Sequence, residues 1–296
     1  MRSGQVSRRA GGAAARWLII GAALLAVSAC STVRLGYNQG PTLGMWWLDR
    51  WLGLSAEQKA ALRPAVAAWF DWHRATQLPT YAQRLADWGR RAGGELQPTE
   101  ICAAFDELRG WAWKALEATV PATAARLPEL TDAQWARLTQ RQAERLDELR
   151  REHLPGSPEA GQAAALKRAV DRSQELYGRL DEAQRALLAR GLADAPVGPQ
   201  DWITDRERRQ QRLVERLRGA QALGETQRAQ AVRTAWRDFL EPDPTTADWR
   251  RQWQAHQCEL AARLHNSTTP AQRQRLQQRL AGFEQDFSVL AAAAGQ

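Results

Sequence analysis

Apolar residues recur at intervals of three and four positions along most of the chain after residue 54. This spacing places them on one face of an α-helix, and the strict alternation of apolar and polar residues that is typical of half-buried strands is missing. The same region is rich in Ala, Leu, Arg, Gln and Glu, which favour helices. The pattern therefore predicts an all-α fold, either an elongated multi-helix bundle or an array of helical hairpins, with about ten helices.

Five predicted helices begin with the same short pattern, in which a residue suited to the N-cap position is followed three positions later by Gln. The five N-cap positions are Ser55, Thr131, Asp181, Gly224 and Thr269. In a capping box the N-cap side chain accepts a hydrogen bond from the third helical amide, and the side chain at that third position accepts one from the N-cap amide. The last four starts are 43 to 50 residues apart, which suits either a repeated pair of helices or separate helix starts.

Proline and glycine clusters divide the helical pattern between these starts. They occur at Leu78-Pro79, at Gly93-Gly94 with Pro98, from Pro121 to Pro128, from Pro155 to Pro158, from Pro196 to Pro199 and from Pro242 to Pro244. The predicted helices cover residues 55–77, 80–92, 99–119, 131–153, 158–178, 181–192, 201–221, 225–240, 246–264 and 269–290. Pro64 lies inside the first helix and is expected to kink it. Residues 31–53 are expected to be irregular or to form short helices.

Tryptophan is unevenly distributed, and this indicates a boundary near the turn from Pro155 to Pro158. Nine of the thirteen tryptophans after residue 30 precede that turn, whereas the region after it is rich in Arg and Gln. We therefore predict a leader over residues 1–29, a lead-in over 30–53, a Trp-rich helical part over 54–155 and an Arg- and Gln-rich helical part over 156–296. One continuous helical domain over the last two parts is the alternative.

The first 29 residues have the order of a secretory signal, with four arginines, an apolar segment over 17–29 and small residues at its end. The apolar segment is shorter than the roughly 20 residues that a membrane-spanning helix needs. It runs into Val27-Ser28-Ala29-Cys30, which resembles the lipobox of bacterial lipoprotein precursors. The resemblance implies that the chain is cut before Cys30 and that this cysteine carries fatty acyl chains such as palmitate. A plain signal peptide cut near Ala29 is the alternative.

The expected lipid anchor predicts that the protein is located in the cell envelope. Two or three acyl chains hold a protein firmly at a bilayer, because each buried methylene contributes about 0.8 kcal/mol. In lipoproteins of this kind an aspartate after the cysteine favours inner-membrane retention, and here that position is Ser31. The resemblance therefore implies the periplasmic face of the outer membrane of a Gram-negative bacterium, with membrane lipid as the partner of acylated Cys30. Export by the Sec route or by the twin-arginine route is left open.

The full chain has a net charge of +8, but half of this excess comes from the four arginines before Cys30. A periplasmic chain with the remaining mild excess is a poor candidate for nucleic-acid binding, so no nucleic-acid partner is expected. The most basic stretch is the predicted helix over 201–221, which contains six arginines. Trp202, Leu213, Val214 and Leu217 give it an apolar stripe, so we interpret it as a packed helix, with contact to anionic headgroups as the alternative.

The densest group of aromatic and polar side chains comprises Trp69, Trp72, His73, Arg74 and Tyr81. On a helix Trp69 and His73 are four positions apart and share one face. This group is the candidate binding cluster, in which His73 could act as a general base or the rings could bind a sugar or a peptide. The favoured interpretation is a histidine packed among tryptophans, because no activated nucleophile motif lies nearby.

Other catalytic and metal-binding signatures are missing from the sequence. No HExxH, CxxC, GxSxG or GxGxxG sequence and no phosphate-binding loop occurs, and the histidines are scattered, at His73, His153, His256 and His265. The carboxylates lie within reach of arginines on predicted helices and are interpreted as solvated pairs. We therefore expect no metal, no cofactor and no enzymatic activity.

Two cysteines remain after Cys30, and they are Cys102 and Cys258. An oxidising periplasm would permit a disulfide between them. Because 155 residues separate the two, their spacing gives no argument for or against a bridge, and two buried thiols are the alternative.

Several short sequences occur in an order that resembles an uncharacterised family of proteobacterial lipoproteins. They are the lipobox, Tyr37-Asn38, Trp46-Trp47, Trp72-His73-Arg74 and Leu78-Pro79-Thr80-Tyr81. This resemblance, strongest over residues 30–90, implies an envelope address and a helical build and gives no activity. A weaker resemblance concerns Leu130-Thr131-Asp132-Ala133-Gln134, which is similar to a motif of helical periplasmic chaperones of the Spy and CpxP type.

Together these features predict an outer-membrane-anchored periplasmic lipoprotein with a role in binding or scaffolding. Its partner would be an envelope protein or a component of the cell wall. A chaperone similar to Spy and CpxP and a cell-wall or glycan-acting enzyme are the two alternative functions.

Overall fold

The computed structural model describes residues 32–154, 156–241 and 245–293. Cys30 and the predicted leader lie outside these residues, so acylation of Cys30 stays a prediction. The chain divides into two units, residues 1–40 and residues 41–296. In the first unit the helix α1 covers Thr32–Asn38. The second unit contains the sites discussed below and includes residues on both sides of the predicted boundary near residue 155.

Every regular element in the described residues is helical, which confirms the all-α fold. Helices α2 to α7 are Gly40–Leu52, Ala56–Trp72, Leu78–Arg91, Pro98–Glu117, Val120–Arg126 and Asp132–His153. Helices α8 to α13 are Pro158–Tyr177, Glu182–Ala193, Pro199–Ala220, Glu225–Leu240, Ala247–Asn266 and Pro270–Ala292. Each of the ten predicted helices is present within a few residues of its predicted ends, and α1, α2 and α6 are additional.

The predicted break at Leu78-Pro79 is wrong. A π-helical turn, His73–Gln77, joins α3 directly to α4, and the Leu78 amide donates to the His73 carbonyl five residues before it. The wider turn leaves room for Pro79, whose ring would collide with a carbonyl in an ordinary helix interior. The prolines at 121 and 128, which were also predicted to end a helix, likewise do not prevent helix formation. They take first-turn positions in α6 and in a 3₁₀ turn, Leu127–Glu129, where a missing amide is harmless.

Four of the five predicted capping boxes are present. The cap side chains of Ser55, Thr131, Asp181 and Thr269 each accept a hydrogen bond from the backbone amide of the Gln three residues later. The Oε1 of each Gln side chain accepts one from the backbone amide of the cap residue. The fifth prediction is wrong in part. Gly224 is the N-cap of α11, but a glycine has no side chain to complete the box.

The glutamines of two boxes also bind each other, and we call this arrangement the first clasp. The Gln58 amide donates to Gln134 Oε1 at 3.2 Å, and the Gln134 amide donates to Gln58 Oε1 at 2.7 Å. Each Nε2 also donates to a carbonyl two residues before the partner's cap, that of Glu129 for Gln58 and that of Gly53 for Gln134. The N-termini of α3 and α7 are therefore locked together through hydrogen bonds that are all satisfied.

The same arrangement recurs between Gln184 and Gln272, and this is the second clasp. The two amides exchange hydrogen bonds of 2.9 and 3.0 Å. Gln184 also donates to the Ser267 carbonyl at 3.1 Å, and Gln272 donates to the Arg179 carbonyl at 2.8 Å. The second clasp joins the N-termini of α9 and α13, so the chain uses one device twice to pair distant helix starts.

A glycine with positive φ precedes each clasp. Gly53 has φ of 64° and Gly178 has φ of 77°, a conformation that favours residues without a Cβ. In both cases an arginine three residues after a clasp glutamine packs where a Cβ would stand, Arg137 Cδ at 3.1 Å and Arg275 Cδ at 3.0 Å. The glycines therefore permit both the turn and the close approach of these arginines.

Two apolar cores and one disulfide hold the helices of the second unit together. One core comprises Val120, Ala124, Leu127, Trp135, Leu217, Ala220, Val232 and Ala235 from α6, α7, α10 and α11. The other comprises Leu180, Leu188, Leu260 and Leu264 and packs against α8. Cys102 of α5 is bonded to Cys258 of α12, across 156 positions of sequence. Helices α4 and α13 also pack against each other, so early and late parts of the chain are interleaved.

Candidate functional site

The predicted binding cluster forms the middle of a longer aromatic stack. The His73 ring stacks on Trp69 with centroids 4.9 Å apart and meets Tyr81 edge-on at 5.5 Å. Tyr81 is buried and stacks on Trp111 at 4.1 Å, which in turn stacks on Trp88 at 5.4 Å. Such contacts contribute about 0.5–1.5 kcal/mol each beyond the area that they bury. The stack therefore binds α3 and α4 firmly to α5.

The remaining members of the cluster lie around His73. The Trp72 ring is 6.1 Å from the His73 ring, and Arg74 is partly buried in the same π-helical turn. Burial lowers the pKa of His73 below its usual value, so the imidazole is neutral at pH 7. Trp69 Nε1 donates to the Ala115 carbonyl at 2.9 Å. Most of this cluster serves packing, whereas Trp69 also borders the cavity described next.

A cavity of about 820 Å³ lies between the hairpin of α2 and α3 on one side and helices α5, α6, α7, α10 and α11 on the other. Its walls are mostly apolar. Five tryptophans line it, Trp47, Trp51, Trp69, Trp135 and Trp236. Aliphatic side chains fill the spaces between them, among them Leu48, Leu62, Val66, Leu138, Leu213 and Val214.

The hairpin of α2 and α3 is held over the cavity by polar contacts at its turn and at its far end. At the turn, Arg137 donates from its guanidinium to the Arg50 carbonyl at 3.3 Å, next to the first clasp. Lys59 pairs with Asp49 at 2.9 Å and ties the two helices of the hairpin together. At the far end the Trp69 indole anchors α3 to α5. The apolar faces of both helices are therefore free to line the cavity.

Helices α7 and α10 run antiparallel along the cavity. Trp135 donates to Gln221 at 2.9 Å near one end, and Arg150 pairs with Glu207 at 2.8 Å near the other. From Trp135 to Arg145 the helix rises by ten steps, about 15 Å, which gives the approximate length of the cavity along α7.

The end of the cavity away from the first clasp is polar. The side chains that line it there are Gln142 and Arg145 of α7 and Arg206 and Gln210 of α10. Helix α11 returns along α10, and Arg209 donates to the Phe239 carbonyl at 2.8 Å. This contact brings the C-terminal half of α11, with Trp236, beside the same end. The cavity is therefore amphipathic. Arg126, Glu129 and Gln58, which are paired within the protein, line it near the first clasp, an apolar part follows, and the polar end lies beyond that part.

Three buried polar atoms of the cavity-lining residues have no hydrogen-bond partner among the described residues. They are Arg206 Nε, Gln210 Oε1 and Trp236 Nε1. Gln210 is only 6% exposed. Buried polar groups are nearly always paired in folded proteins, and an unpaired one costs about 1–3 kcal/mol. The polar end thus offers two donors and one acceptor that the protein itself leaves unused.

Arg206 also carries a positive charge that no carboxylate balances in the described part of the chain. Burial lowers the pKa of Arg206, and the nearby positive charges of Arg209 and Arg145 lower it further. A guanidinium nevertheless stays protonated in proteins. Its plane lies over the Trp202 ring, with Cζ 5.9 Å from the centroid. The polar end of the cavity therefore has an excess of positive charge.

The neighbouring carboxylate, Asp205, is already occupied. Asp205 is 2% exposed, pairs with Arg209 at 2.9 Å and with Arg250 at 3.0 Å, and accepts a hydrogen bond from Thr246 at 3.1 Å. The interpretation of the carboxylates as solvated pairs is therefore wrong for this residue. Because two arginines share one buried carboxylate, Asp205 has no charge left to balance Arg206.

Within residues 32–154, 156–241 and 245–293, no group of three or more His, Cys, Asp or Glu side chains is placed to hold a metal ion. No helix in those ranges is long and apolar enough to span a bilayer.

Sequence reasoning missed the cavity and its polar end. The helix that carries Arg206 and Gln210 was identified as basic, but its six arginines look alike in sequence, and only packing separates the cavity-facing Arg206 from the exposed Arg208. The signal that could have indicated the site was the excess of tryptophan in the lead-in, where Trp47 and Trp51 recur four positions apart on one helical face.

A family of unknown function, DUF6279, matches residues 50–234, more than half of the chain. The matched region includes the predicted aromatic cluster, the first clasp and the cavity wall formed by α3, α7 and α10. No curated protein and no solved structure matches the chain.

Proposed function

Because the chain belongs to the DUF6279 family of unknown function, its role has to be argued from the site itself, and we propose that it binds the apolar chain of an amphiphile in its cavity. The volume carries this proposal. At about 820 Å³ the cavity is within the usual range of ligand sites, roughly 300–1,000 Å³. It is several times larger than a cavity of about 150 Å³ that already holds benzene. Native interiors are otherwise close-packed, so a mostly apolar space of this size is unusual and offers room for a ligand.

The shape and lining of the cavity suit a long chain better than a compact ligand. Apolar side chains from both walls face each other along about 15 Å of helix, as a methylene chain would require. The five tryptophans provide broad apolar surfaces without many rotatable bonds, so little conformational entropy is lost when a chain binds. A sugar or a peptide would need more hydrogen-bonding groups along the walls than the cavity offers.

The second part of the proposal concerns the location of the protein in the cell. We propose that it is a lipoprotein anchored through acylated Cys30 at the periplasmic face of the outer membrane. It is supported by the lipobox and by the bond between Cys102 and Cys258, since disulfides persist in oxidising compartments. An anchored binding protein would meet envelope amphiphiles at a raised local concentration. Mass spectrometry of the N-terminus from cells should find a diacylated or triacylated Cys30, and an unmodified thiol would contradict the address.

Chain binding can be measured on the full-length protein carrying Cys30→Ser, so that no covalent lipid competes for the cavity. Calorimetric titration with a panel of dodecyl amphiphiles, below their micellar concentrations, should show one saturable site. Ala122→Phe places a ring in the cavity and should abolish binding. Ala125→Phe makes the same change three residues along α6 at an exposed position and should leave binding intact. Equal binding by both variants, or no saturable binding, would exclude the proposal.

The two alternative functions have less support. Client binding by a chaperone of the Spy type would use a broad exposed apolar surface, whereas most of the apolar surface described above lines the cavity. The motif that resembles those chaperones already has a structural role in the capping boxes and clasps. If the protein suppressed the aggregation of an unfolded protein at a near-stoichiometric ratio of the two, this result would support the chaperone function. For a glycan-acting enzyme, His73 would need an open cleft, but it is stacked between Trp69 and Tyr81.

A further inference from the structure

We infer that the polar end of the cavity selects amphiphiles whose head carries a negative charge together with a hydroxyl or amide donor. This inference rests on the proposed function and adds the chemical class of the ligand. It is carried by Arg206, whose buried Nε has no hydrogen-bond partner among the described residues, and by the unused acceptor Gln210 Oε1 at the end of a mostly apolar cavity.

The charge argument concerns Arg206. A partly buried guanidinium without a carboxylate is unfavourable, because the contact of Arg206 with the Trp202 ring replaces only part of the solvation that it loses on removal from water. Arg145 lies close enough to add to the positive potential, and its own partner, Glu148, pairs with it at 2.7 Å on the exposed side of α7. A carboxylate, phosphate or sulfate at the cavity end would accept hydrogen bonds from Arg206 and from the Trp236 indole.

The positive charge at the polar end of the cavity disfavours ligands with a cationic or a neutral head group. A quaternary ammonium would be repelled by Arg206 and Arg145, and a neutral alcohol would leave the guanidinium unbalanced. Phosphates and carboxylates are matched because a guanidinium presents a planar fork of N–H groups to two oxygens.

The donor argument concerns Gln210. Its Oε1 lies buried within the cavity wall and can only accept a hydrogen bond. A simple carboxylate has no hydrogen to offer at neutral pH, so Gln210 would stay unpaired beside it. A hydroxyl or amide N–H close to the acidic group would satisfy Gln210 while the acid binds Arg206. Hydroxylated acyl acids, N-acyl amino acids and phosphatidylglycerol share this chemistry.

The charge preference can be tested with chains of equal length on the Cys30→Ser protein. Dodecanoate should bind at least about tenfold more tightly than dodecanol, as a hydrogen bond to a charged group implies, and dodecyltrimethylammonium should bind most weakly. Arg206→Leu should remove the preference for dodecanoate and leave dodecanol binding unchanged. Arg206→Lys should keep part of the preference, and Arg208→Leu, at an exposed neighbouring position, should keep all of it.

Three outcomes separate this inference from the proposed function. If all three chains bind with equal affinity and Arg206→Leu changes nothing, the charge inference is overturned while chain binding stands. If dodecanoate binds at least about tenfold more tightly than dodecanol and Arg206→Leu removes this difference, the inference holds. If no chain binds at all, the proposed function fails and this inference with it.

The donor preference needs a second pair of ligands. A hydroxyl on the third carbon of dodecanoate should tighten binding by about threefold to tenfold, the range expected for a neutral hydrogen bond. Gln210→Leu has nearly the same volume and no acceptor, so it should abolish this gain without changing the affinity for plain dodecanoate. A gain that survives in Gln210→Leu would contradict the assignment of Gln210. A parallel titration with short-chain phosphatidylglycerol shows whether phospholipids or free acids are the better source of the anionic head.

Discussion

The two clasps have the same hydrogen bonds, yet the helices beside the first leave a cavity next to their core, whereas those beside the second pack without one. Beside the first clasp, Leu54, Gln58 and Leu130 border an open cavity. Beside the second, Leu180, Leu188, Leu260 and Leu264 form a filled core. In that core Gly191 allows Leu260 so close that a Cβ would stand 2.3 Å from its Cδ1. The cavity is therefore not a by-product of the clasp, because the same device elsewhere brings helices into full contact.

The two regions also differ in whether their buried polar side chains are fully hydrogen-bonded. In the packed region the buried His265 is fully used, since its Nε2 donates to the Gly94 carbonyl at 2.8 Å and its Nδ1 accepts from Tyr177 at 3.1 Å. Burial also lowers the pKa of His265, which keeps it neutral in this arrangement. In the open region Arg206 Nε and Gln210 Oε1 have no hydrogen-bond partner among the described residues. His265 thus uses both of its ring nitrogens, whereas these two atoms stay unused.

The largest effect is expected from the disulfide, which joins α12 of the packed region to α5. The double variant Cys102→Ala with Cys258→Ala should lower the free energy of unfolding by about 2–5 kcal/mol, because the unfolded chain is no longer constrained by a long loop. Urea unfolding of the oxidised protein, the variant and the reduced protein measures this. Reduced protein and variant should agree, and a variant as stable as the oxidised protein would mean that the bridge does not form in solution.

Larger side chains in the packed region should lower the stability of the protein. Gly191→Ala should destabilise the protein by about 1–3 kcal/mol, since the new methyl must displace Leu260. Gly89→Ala, also inside a helix, meets its nearest atom at 3.8 Å and should be neutral or slightly stabilising. The larger change Ala122→Phe, in the cavity, should cost no stability. The melting temperatures of the three variants measure these effects. If Ala122→Phe were the least stable of them, the cavity would be no more tolerant of added volume than the packed region.

The clasps themselves should contribute equally in both regions. Gln134→Leu and Gln184→Leu each remove at least four hydrogen bonds of a buried side-chain amide and should each destabilise the protein by about 1–3 kcal/mol. Gln227→Leu is the control, because this glutamine follows Gly224 and forms no box. Chemical unfolding that showed a loss at only one clasp would mean that their stability depends on the packing beside them.

The smallest effect is expected at Gln210. Gln210→Leu should change the free energy of unfolding by less than about 0.5 kcal/mol, or stabilise the protein, because it removes a buried acceptor that has no partner. The contrast with Gln184→Leu, at a similarly buried glutamine, isolates the effect of hydrogen-bond satisfaction. Equal losses at both positions, measured by urea unfolding, would show that Gln210 is paired within the protein.

The parts of the fold that depend on local chemistry could be predicted from the sequence, and the site could not. Helix starts such as Thr131 and Thr269 were predictable because a cap and the glutamine three residues later interact within one turn. The pairing of the clasps, the burial of Asp205 and the choice of Arg206 among six arginines depend on helices that meet over long sequence distances. Periodicity shows which face of a helix is apolar but not whether the opposite helix fills the space.

The most direct test of the central claim is quenching of cavity tryptophans by a bromine-labelled acyl chain. Five tryptophans line the cavity, so a dibrominated fatty acid bound inside the Cys30→Ser protein should quench their fluorescence in a saturable manner. Unlabelled chain should reverse the quenching, Ala122→Phe should abolish it and Ala125→Phe should retain it. Quenching that rises linearly with concentration, or that is the same in both variants, would contradict an acyl chain in this cavity.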